Sequence, residues 1–264
     1  QKGLLYVGTA GTGKTSIVKD YFKDLDPDSV INTPINFNSY TDSMSLQIVI
    51  ESNVDKRTGT LYGPPTGKTL IYFVDDLNMP KVDVYYTQQP IALVRQLIDY
   101  ATYYDRADLS VQKRIADIMF VTCMNPKAGS FFVDERLTRH LTTVCLSVPE
   151  KEILNTIYSQ ILAGHFREFE ENIQKMTPKI ISATQKVFID MSKNPKFAPT
   201  ALKFHYQFNM RDFAKIIQNI CNTTPKEFKG KPVEIVRLWA HECHRVWHDR
   251  LTLDEDREQY MKTM

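Results

Sequence analysis

No apolar run in the chain approaches the length of a membrane-spanning helix. LLYV, LQIVI and LIYFV end after four or five residues, where about 20 are needed to cross a bilayer. Cysteine is scarce: Cys123, Cys145, Cys221 and Cys243 are far apart, never in a C-x-x-C pair, and embedded in apolar stretches. That excludes a disulfide framework and a zinc ribbon and predicts reduced, mostly buried thiols in a cytoplasmic setting. Long runs of one charge are also missing. With 33 basic residues against 31 acidic ones, a general electrostatic attraction to nucleic acid or to a membrane surface is not expected. Low-complexity segments are absent, and 42% hydrophobic with 24% charged residues is the balance of an ordinary folded protein. There is neither an initiator methionine nor a signal peptide. The opening QKGLLYVG sits one strand away from a glycine-rich loop, so the chain reads as a piece of something longer.

What is present is an alternation. LLYV is a short apolar run closed by glycine, after which Val18, Tyr21, Phe22 and Leu25 recur at helical spacing. INFNSY is a second candidate strand leading to a helix near 46–51. TLIYFV is a third, continuous in the way a sheet covered on both faces requires. Helical spacing returns from Pro90 to Tyr103, and DIMFVTCMN and LTTVCLSV supply further strands. Strands alternating with helices predict a parallel, doubly wound sheet. After Pro149 only helical spacing remains. Ile153, Ile157 and Ile161 interleave with Leu154, Tyr158 and Leu162, and more helices are expected near 178–193, 209–221 and 233–250. The expected division is an α/β domain over 1–149 and a small helical domain over 150–264.

Two stretches end in Gly-Lys-Thr. GTAGTGKT, residues 8–15, has the phosphate-loop spacing, follows a strand and opens a helix, so backbone N–H groups and the helix N-terminus can face an anion. Gly8, Thr9, Ala10, Gly11, Thr12 and Gly13 form the cradle. Lys14 is expected to reach the terminal phosphates, and the Thr15 hydroxyl to ligate Mg²⁺. GPPTGKT, residues 63–69, is one residue short, runs into a strand, and carries Pro64 and Pro65 where N–H donors are needed. It reads as a loop feeding a strand.

That strand ends in Asp75-Asp76, the arrangement called Walker B. Asp75 is expected to hold Mg²⁺ and Asp76 to orient the attacking water. An Asp in place of the more usual Glu has a shorter reach and predicts slow hydrolysis. The next strand ends at Asn125, either a sensor of the γ-phosphate or a turn former before Pro126. DERLTRHL presents Arg136 and Arg139 three apart, either an arginine finger for a neighbouring site or a solvated basic turn.

Phosphate loop, LIYFVDD, TCMN, ERLTRH and a helical lid follow one another as in AAA+ ATPases. The wording of NFNSYTDSMSLQ, YGPPTGKTLIYFVDDLNMPKVD, MNPKAGSFFVDERLTRHL, FHYQFNMRDF and VRLWAHECHRVWHDRL resembles the third AAA+ module of axonemal dynein heavy chains, outer-arm type, over nearly the whole chain. The resemblance implies a three-layer α/β/α P-loop domain followed by an all-helical lid, binding ATP or ADP with Mg²⁺. It implies a regulatory site in a minus-end-directed ciliary motor, at work in the cytoplasmic cytoskeleton of the axoneme. Asn125 then matches a sensor, Arg211 a lid arginine reaching its own γ-phosphate, and Arg136 a finger serving the preceding module in trans. The implied partners are the other AAA+ modules of the same heavy chain and, through the full-length protein, microtubules and intermediate and light chains. Nucleic acid and membranes are not among them. The adenine-side segment before the first strand and the finger of the following module lie outside the chain. Weak binding, very slow hydrolysis and a monomeric state are therefore expected for it alone. Two alternatives stand: a nucleotide held without turnover, and a stand-alone AAA+ remodeller.

HECHRVWH places His244 and His248 four apart with His241 and Cys243 nearby, but Arg245 occupies the position where a zincin needs its second histidine. Val236, Trp239, Ala240, Cys243, Val246 and Trp247 read as a packing stripe instead. Tyr103, Tyr104, Phe131 and Phe132 could stack on bases, but no basic stripe accompanies them.

Overall fold

The computed structural model describes residues 3–128, 133–228 and 231–264, without the side chain of Glu227. It falls into two compact units, one running to Val148 and the other beginning at Pro149. The first contains, in order, β1 (Gly3–Val7), α1 (Lys14–Lys23), β2 (Val30–Asn36), α2 (Ser43–Glu51), β3 (Asp55–Thr58), β4 (Leu61–Gly63), β5 (Thr69–Asp75), α3 (Gln89–Tyr100), β6 (Thr102–Tyr104), β7 (Gln112–Ile115), β8 (Ile118–Met124), α4 (Glu135–Thr138) and β9 (Leu141–Cys145).

Five of these strands form one parallel sheet in the order β2-β5-β8-β1-β9. Alternation along β5 makes it the middle of three layers. Leu70, Tyr72 and Val74 pack with Leu46 and Ile50 of α2 and Ile91, Val94 and Leu97 of α3. Ile71 and Phe73 pack on the other face with Val18 and Phe22 of α1. Both faces are covered, which is why β5 reads as an unbroken apolar run. Tyr72 is fully buried, stacks on Phe120 at 5.4 Å, and donates its hydroxyl to the Ile50 carbonyl at 2.9 Å, so its polar end is satisfied too. Helix α2 starts at a reciprocal cap in which the Ser45 N–H donates to Asp42 Oδ1 at 2.8 Å and the Asp42 N–H donates to Ser45 Oγ at 3.2 Å.

Three expectations need correction. The second strand is Val30–Asn36, earlier than INFNSY, and it contains Pro34. Because β2 is an edge strand, the missing N–H costs no ladder bond. Helix α3 ends at Tyr100, short of Tyr103, where Ala101 turns into the left-handed region at φ 53° and its N–H caps Leu97. Residues 102–104 instead join a second four-stranded sheet, β3-β4-β7-β6, which periodicity did not reveal because its strands are three or four residues long.

The second unit is helical: α5 (Lys151–His165), α6 (Glu171–Gln174), α7 (Thr177–Lys193), α8 (Met210–Ile220), α9 (Pro225–Phe228), α10 (Pro232–Val246) and α11 (Asp254–Thr263). Its core gathers Phe166, Phe188, Phe213, Ile216, Cys243 and Trp247 into one cluster. On α5 only one of the two interleaved stripes serves that core. Leu154 and Leu162 are buried, while Ile153, Ile157 and Ile161 are exposed. On α10 the buried side runs through Ile235, Cys243 and Val246, whereas Val236 of the expected stripe lies outside it. No described helix is long and apolar enough to cross a membrane.

Candidate nucleotide site

The loop between β1 and α1 is built for close backbone approach. Its entry is pinned by two neighbouring strands: the Gly8 N–H donates to the Met124 carbonyl at 3.2 Å, and the Leu146 N–H to the Val7 carbonyl at 2.7 Å. A Cβ on Gly8 would lie 2.5 Å from the Leu146 carbonyl oxygen and 2.8 Å from Thr12 Oγ1, so no other residue fits there. Gly11 and Gly13 take φ of 82° and 88°, the left-handed region where glycine is unstrained. Gly13 caps α1 without any side-chain hydrogen bond of its own, leaving the first helical N–H groups to an anion. Thr12 donates its hydroxyl to the Thr9 carbonyl at 3.0 Å and tightens the turn.

Lys14 and Thr15 begin α1. Lys14 is nine-tenths buried, and its ammonium donates to the carbonyls of Gly8 at 2.7 Å and Thr9 at 2.8 Å, which holds it over its own loop. Thr15 Oγ1 donates to Asp75 Oδ2 at 2.8 Å, across sixty positions of sequence. A hydroxyl and a carboxylate in contact at a helix start and a strand end are hard oxygen donors, and that set fits Mg²⁺. Asp76 follows with φ 54°, a left-handed conformation tolerated by Asp better than by bulkier residues, and its N–H donates to Asp75 Oδ1 at 3.1 Å.

Asn125 lies at the end of β8, the strand beside β5, so Asp75, Asp76 and Asn125 share the end of the sheet that the phosphate loop occupies. Its Oδ1 accepts the Lys127 N–H at 3.1 Å, which makes it a turn former and leaves the Nδ2 side of the amide to any further role. Cys123, buried one strand position from the site, is pushed up to about 12 by burial and by the Asp75 charge, so it stays a thiol.

The second Gly-Lys-Thr is at the opposite end of β5. Thr69 opens the strand that Asp75 closes, a separation of about 20 Å at strand rise. Lys68 there donates to the Pro27 carbonyl at 2.9 Å, a staple between two loops.

Arg136 and Arg139 differ in company. Arg139 leans on Asp99 at 3.5 Å, and Asp99 is also 3.0 Å from His140 Nε2. The exposed Arg136 guanidinium meets no carboxylate among the described residues. In the second unit Arg211 is exposed in the first turn of α8, its N–H donating to Asn209 Oδ1 at 2.8 Å. Its neighbour Asp212 is taken by Arg250 at 3.0 Å, so the two do not form the surface pair that adjacency suggests.

Some expectations outside the site change. Cys123 and Cys243 are buried, but Cys145 is exposed. His244 and His248 pack their rings 5.5 Å from Tyr260, an aromatic cluster. Phe131 and Phe132 lie outside the described residues. The sequence reading passed over Asn78, whose one signal was its place two residues after the carboxylate pair. It is 2% exposed, and its amide donates to the Asn125 and Ala128 carbonyls.

Residues 1–149 match the family described as the P-loop containing dynein motor region, and 187–264 match an AAA+ lid domain. The dynein beta chain of the flagellar outer arm of Chlamydomonas reinhardtii is 40% identical over 256 residues, 97% of this chain. The ciliary dynein beta chain of Tripneustes gratilla is 43% identical over 98% of it, and the Homo sapiens dynein axonemal heavy chain 9 is 41% identical over 99%. The chain spans 6% of the length of each of these relatives. A phosphate loop joined to a strand-end carboxylate, followed by a helical lid and matched at this level, means that the chain belongs to the AAA+ P-loop dynein motor family.

Proposed function

We propose that the chain is a nucleotide-binding module of an axonemal dynein heavy chain, the third of the motor ring, and that it binds ATP or ADP with Mg²⁺. The observation that carries the reading is the Thr15–Asp75 contact at 2.8 Å, which joins the phosphate loop to the strand-end carboxylate. Gly8 to Gly13 would wrap the phosphates with N–H groups, and Lys14 would swing from its carbonyls to the terminal phosphates. Thr15 and Asp75 would hold Mg²⁺, which when bound neutralises charge on the β- and γ-phosphates. Asp76 orients water, Asn125 reads the γ-phosphate through its Nδ2, and Arg211 is the lid arginine of this same site. Arg136, which meets no carboxylate among the described residues, is the finger for a neighbouring module, and Arg139 anchors the turn behind it. Dynein heavy chains are AAA+ ATPases. In this module the short Asp76 carboxylate favours slow turnover, and the role is regulatory: nucleotide state is passed to ring neighbours of a microtubule motor in the axoneme.

Calorimetric titration of the chain with ADP and ATP tests the reading, with Lys14→Ala as the control. Wild-type binding that the variant loses is the expected result. Binding that survives Lys14→Ala would mean the phosphate lies elsewhere. A second reading, a nucleotide held without turnover, draws on the same Asp76, and phosphate release measured with excess ATP separates the two.

A further inference from the structure

Between the carboxylate pair and the sensor strand lies a turn whose two central residues are buried, an unusual place for an asparagine. The turn spans Asp76 to Met79 and is closed by the Met79 N–H donating to the Asp76 carbonyl at 2.9 Å. Leu77 is fully buried, and its N–H extends the β5–β8 ladder by one bond, to the Cys123 carbonyl at 2.9 Å. Asn78, 2% exposed, turns its amide the same way. Nδ2 donates to the Asn125 carbonyl at 2.9 Å and also to the Ala128 carbonyl. Both hydrogens of one amide are therefore spent on the two ends of the short turn that follows β8. The same turn is closed from inside by the Ala128 N–H to the Asn125 carbonyl at 3.2 Å and the Lys127 N–H to Asn125 Oδ1 at 3.1 Å. On the outgoing chain the buried Gln88 amide makes a single link of the same kind and donates to the Pro80 carbonyl at 2.7 Å.

A buried amide that makes such bonds is costly to disturb, because loss of the donor takes one hydrogen bond from each of two half-buried carbonyls and leaves that of Asn125 with the Ala128 N–H alone. The link is also directional. Asn78 grips the main chain of Asn125, while the sensing side chain of Asn125 stays outside the grip. Any shift of Asp76 that rotates the 76–79 turn must therefore move the Asn125 backbone, and the reverse holds as well.

We propose that Asn78 is a positioning residue that locks the sensor turn 125–128 to the carboxylate turn 76–79, so that Asn125 and Asp76 respond to the γ-phosphate as one unit. The inference rests on the nucleotide reading above, and its test separates the two. Asn78→Leu removes the donor at similar size, and Asn78→Asp keeps the shape but turns an acceptor toward two carbonyls. Hydrogen exchange of the 125–128 segment, measured on the 264-residue chain without nucleotide, is expected to rise by about fivefold or more in Asn78→Leu. It should rise further in Asn78→Asp at neutral pH, and fall back after correction for intrinsic rates once the new carboxyl is protonated and can donate again. In the titrations ADP affinity stays within about twofold, because the phosphate loop is untouched, while the preference for ATP over ADP drops by about fivefold or more. Unchanged exchange in both variants overturns the lock. Raised exchange with an unchanged ATP preference overturns the coupling and reduces Asn78 to a structural clamp. A wild-type chain that binds neither nucleotide defeats the nucleotide reading and the coupling together, and the exchange result then decides the lock alone.

Discussion

The two units spend their exceptions differently. Every left-handed residue found among the described positions, Gly11, Gly13, Gly59, Gly67, Asp76, Tyr86, Ala101 and Asp117, belongs to the α/β unit. The described residues of the helical unit include none, and its specificity comes from a core in which Phe213, Trp247, Phe166 and Tyr260 are fully buried. Unusual backbone costs free energy and persists where surrounding structure holds it in place. In the α/β unit that cost falls on Asp76, Tyr86, Ala101 and Asp117, whereas Gly11, Gly13, Gly59 and Gly67 adopt the conformation without strain. The helical unit reaches its shape with ordinary backbone and side-chain packing, which makes it robust locally and dependent on each large side chain.

That contrast can be broken in several ways, and the largest effect belongs to packing. Phe213→Ala removes a fully buried ring that meets Tyr158 at 4.7 Å and Phe188 at 5.9 Å. Urea unfolding followed by far-UV circular dichroism should show the helical unit weakened by about 3–5 kcal/mol, and a loss under about 1 kcal/mol would contradict a tightly packed core. Next comes chemistry without packing. Lys14→Ala should lower nucleotide affinity by about 100-fold, or about 2.7 kcal/mol, and cost the free chain about 1–3 kcal/mol of stability, because the carbonyls of Gly8 and Thr9 lose their donor.

Glycine sharpens the comparison because the same change should have opposite signs in the two units. Gly8→Ala drives a Cβ against the Leu146 carbonyl and should cost about 1–3 kcal/mol. Gly164→Ala, in α5 with nothing within 4 Å of the added carbon, should stabilise by about 0.4–1 kcal/mol. Thermal melts of both variants read the difference. Asp76→Gly separates strain from function at one residue. Relief of its φ of 54° should raise stability by at most about 1 kcal/mol, while phosphate release falls to background.

The smallest effect is a pH dependence. Burial holds His165 and His244 below the usual 6.5, His244 also through the nearby His248. Their folded values are lowered, so the unfolded chain binds more protons as pH falls from 6.5, and the stability they lend is lost in that direction. Both lie in the helical unit. In the α/β unit the resolved carboxylate shifts, at Asp26, Asp42, Asp83, Asp105 and Asp108, go below 3.8 through hydrogen bonds from neighbouring Ser, Thr, Lys or backbone groups. Chemical denaturation at pH 7 and pH 5.5 should therefore weaken the helical unit first. An equal response in both units would remove the distinction.

Much of this was legible in the chain because it depends on neighbours in sequence. The spacing of Gly8, Gly11, Gly13 and Lys14 fixes loop and helix start within eight residues, and five apolar residues before Asp75 announce a buried strand. The second Gly-Lys-Thr was separable because Pro64 and Pro65 strip N–H donors and no helix follows. The small sheet was hidden, since strands such as Thr102–Tyr104 are too short to show a period. The Asn78 link was hidden for another reason. Hydrophobicity patterns carry no record of a buried amide, and its partners lie about fifty positions away.

The sequence by itself determined which chemical groups stand at which strand and helix ends, because a period of two or of 3.6 and a run of glycines are local properties. Only the tertiary structure decided which of those ends meet. β5 lies beside β8 and β1 beside both β8 and β9, and that order brings Thr15 to Asp75 and Asn78 to the turn at 125–128. Burial and sheet pairing set the order, and they are satisfied between residues far apart in the chain.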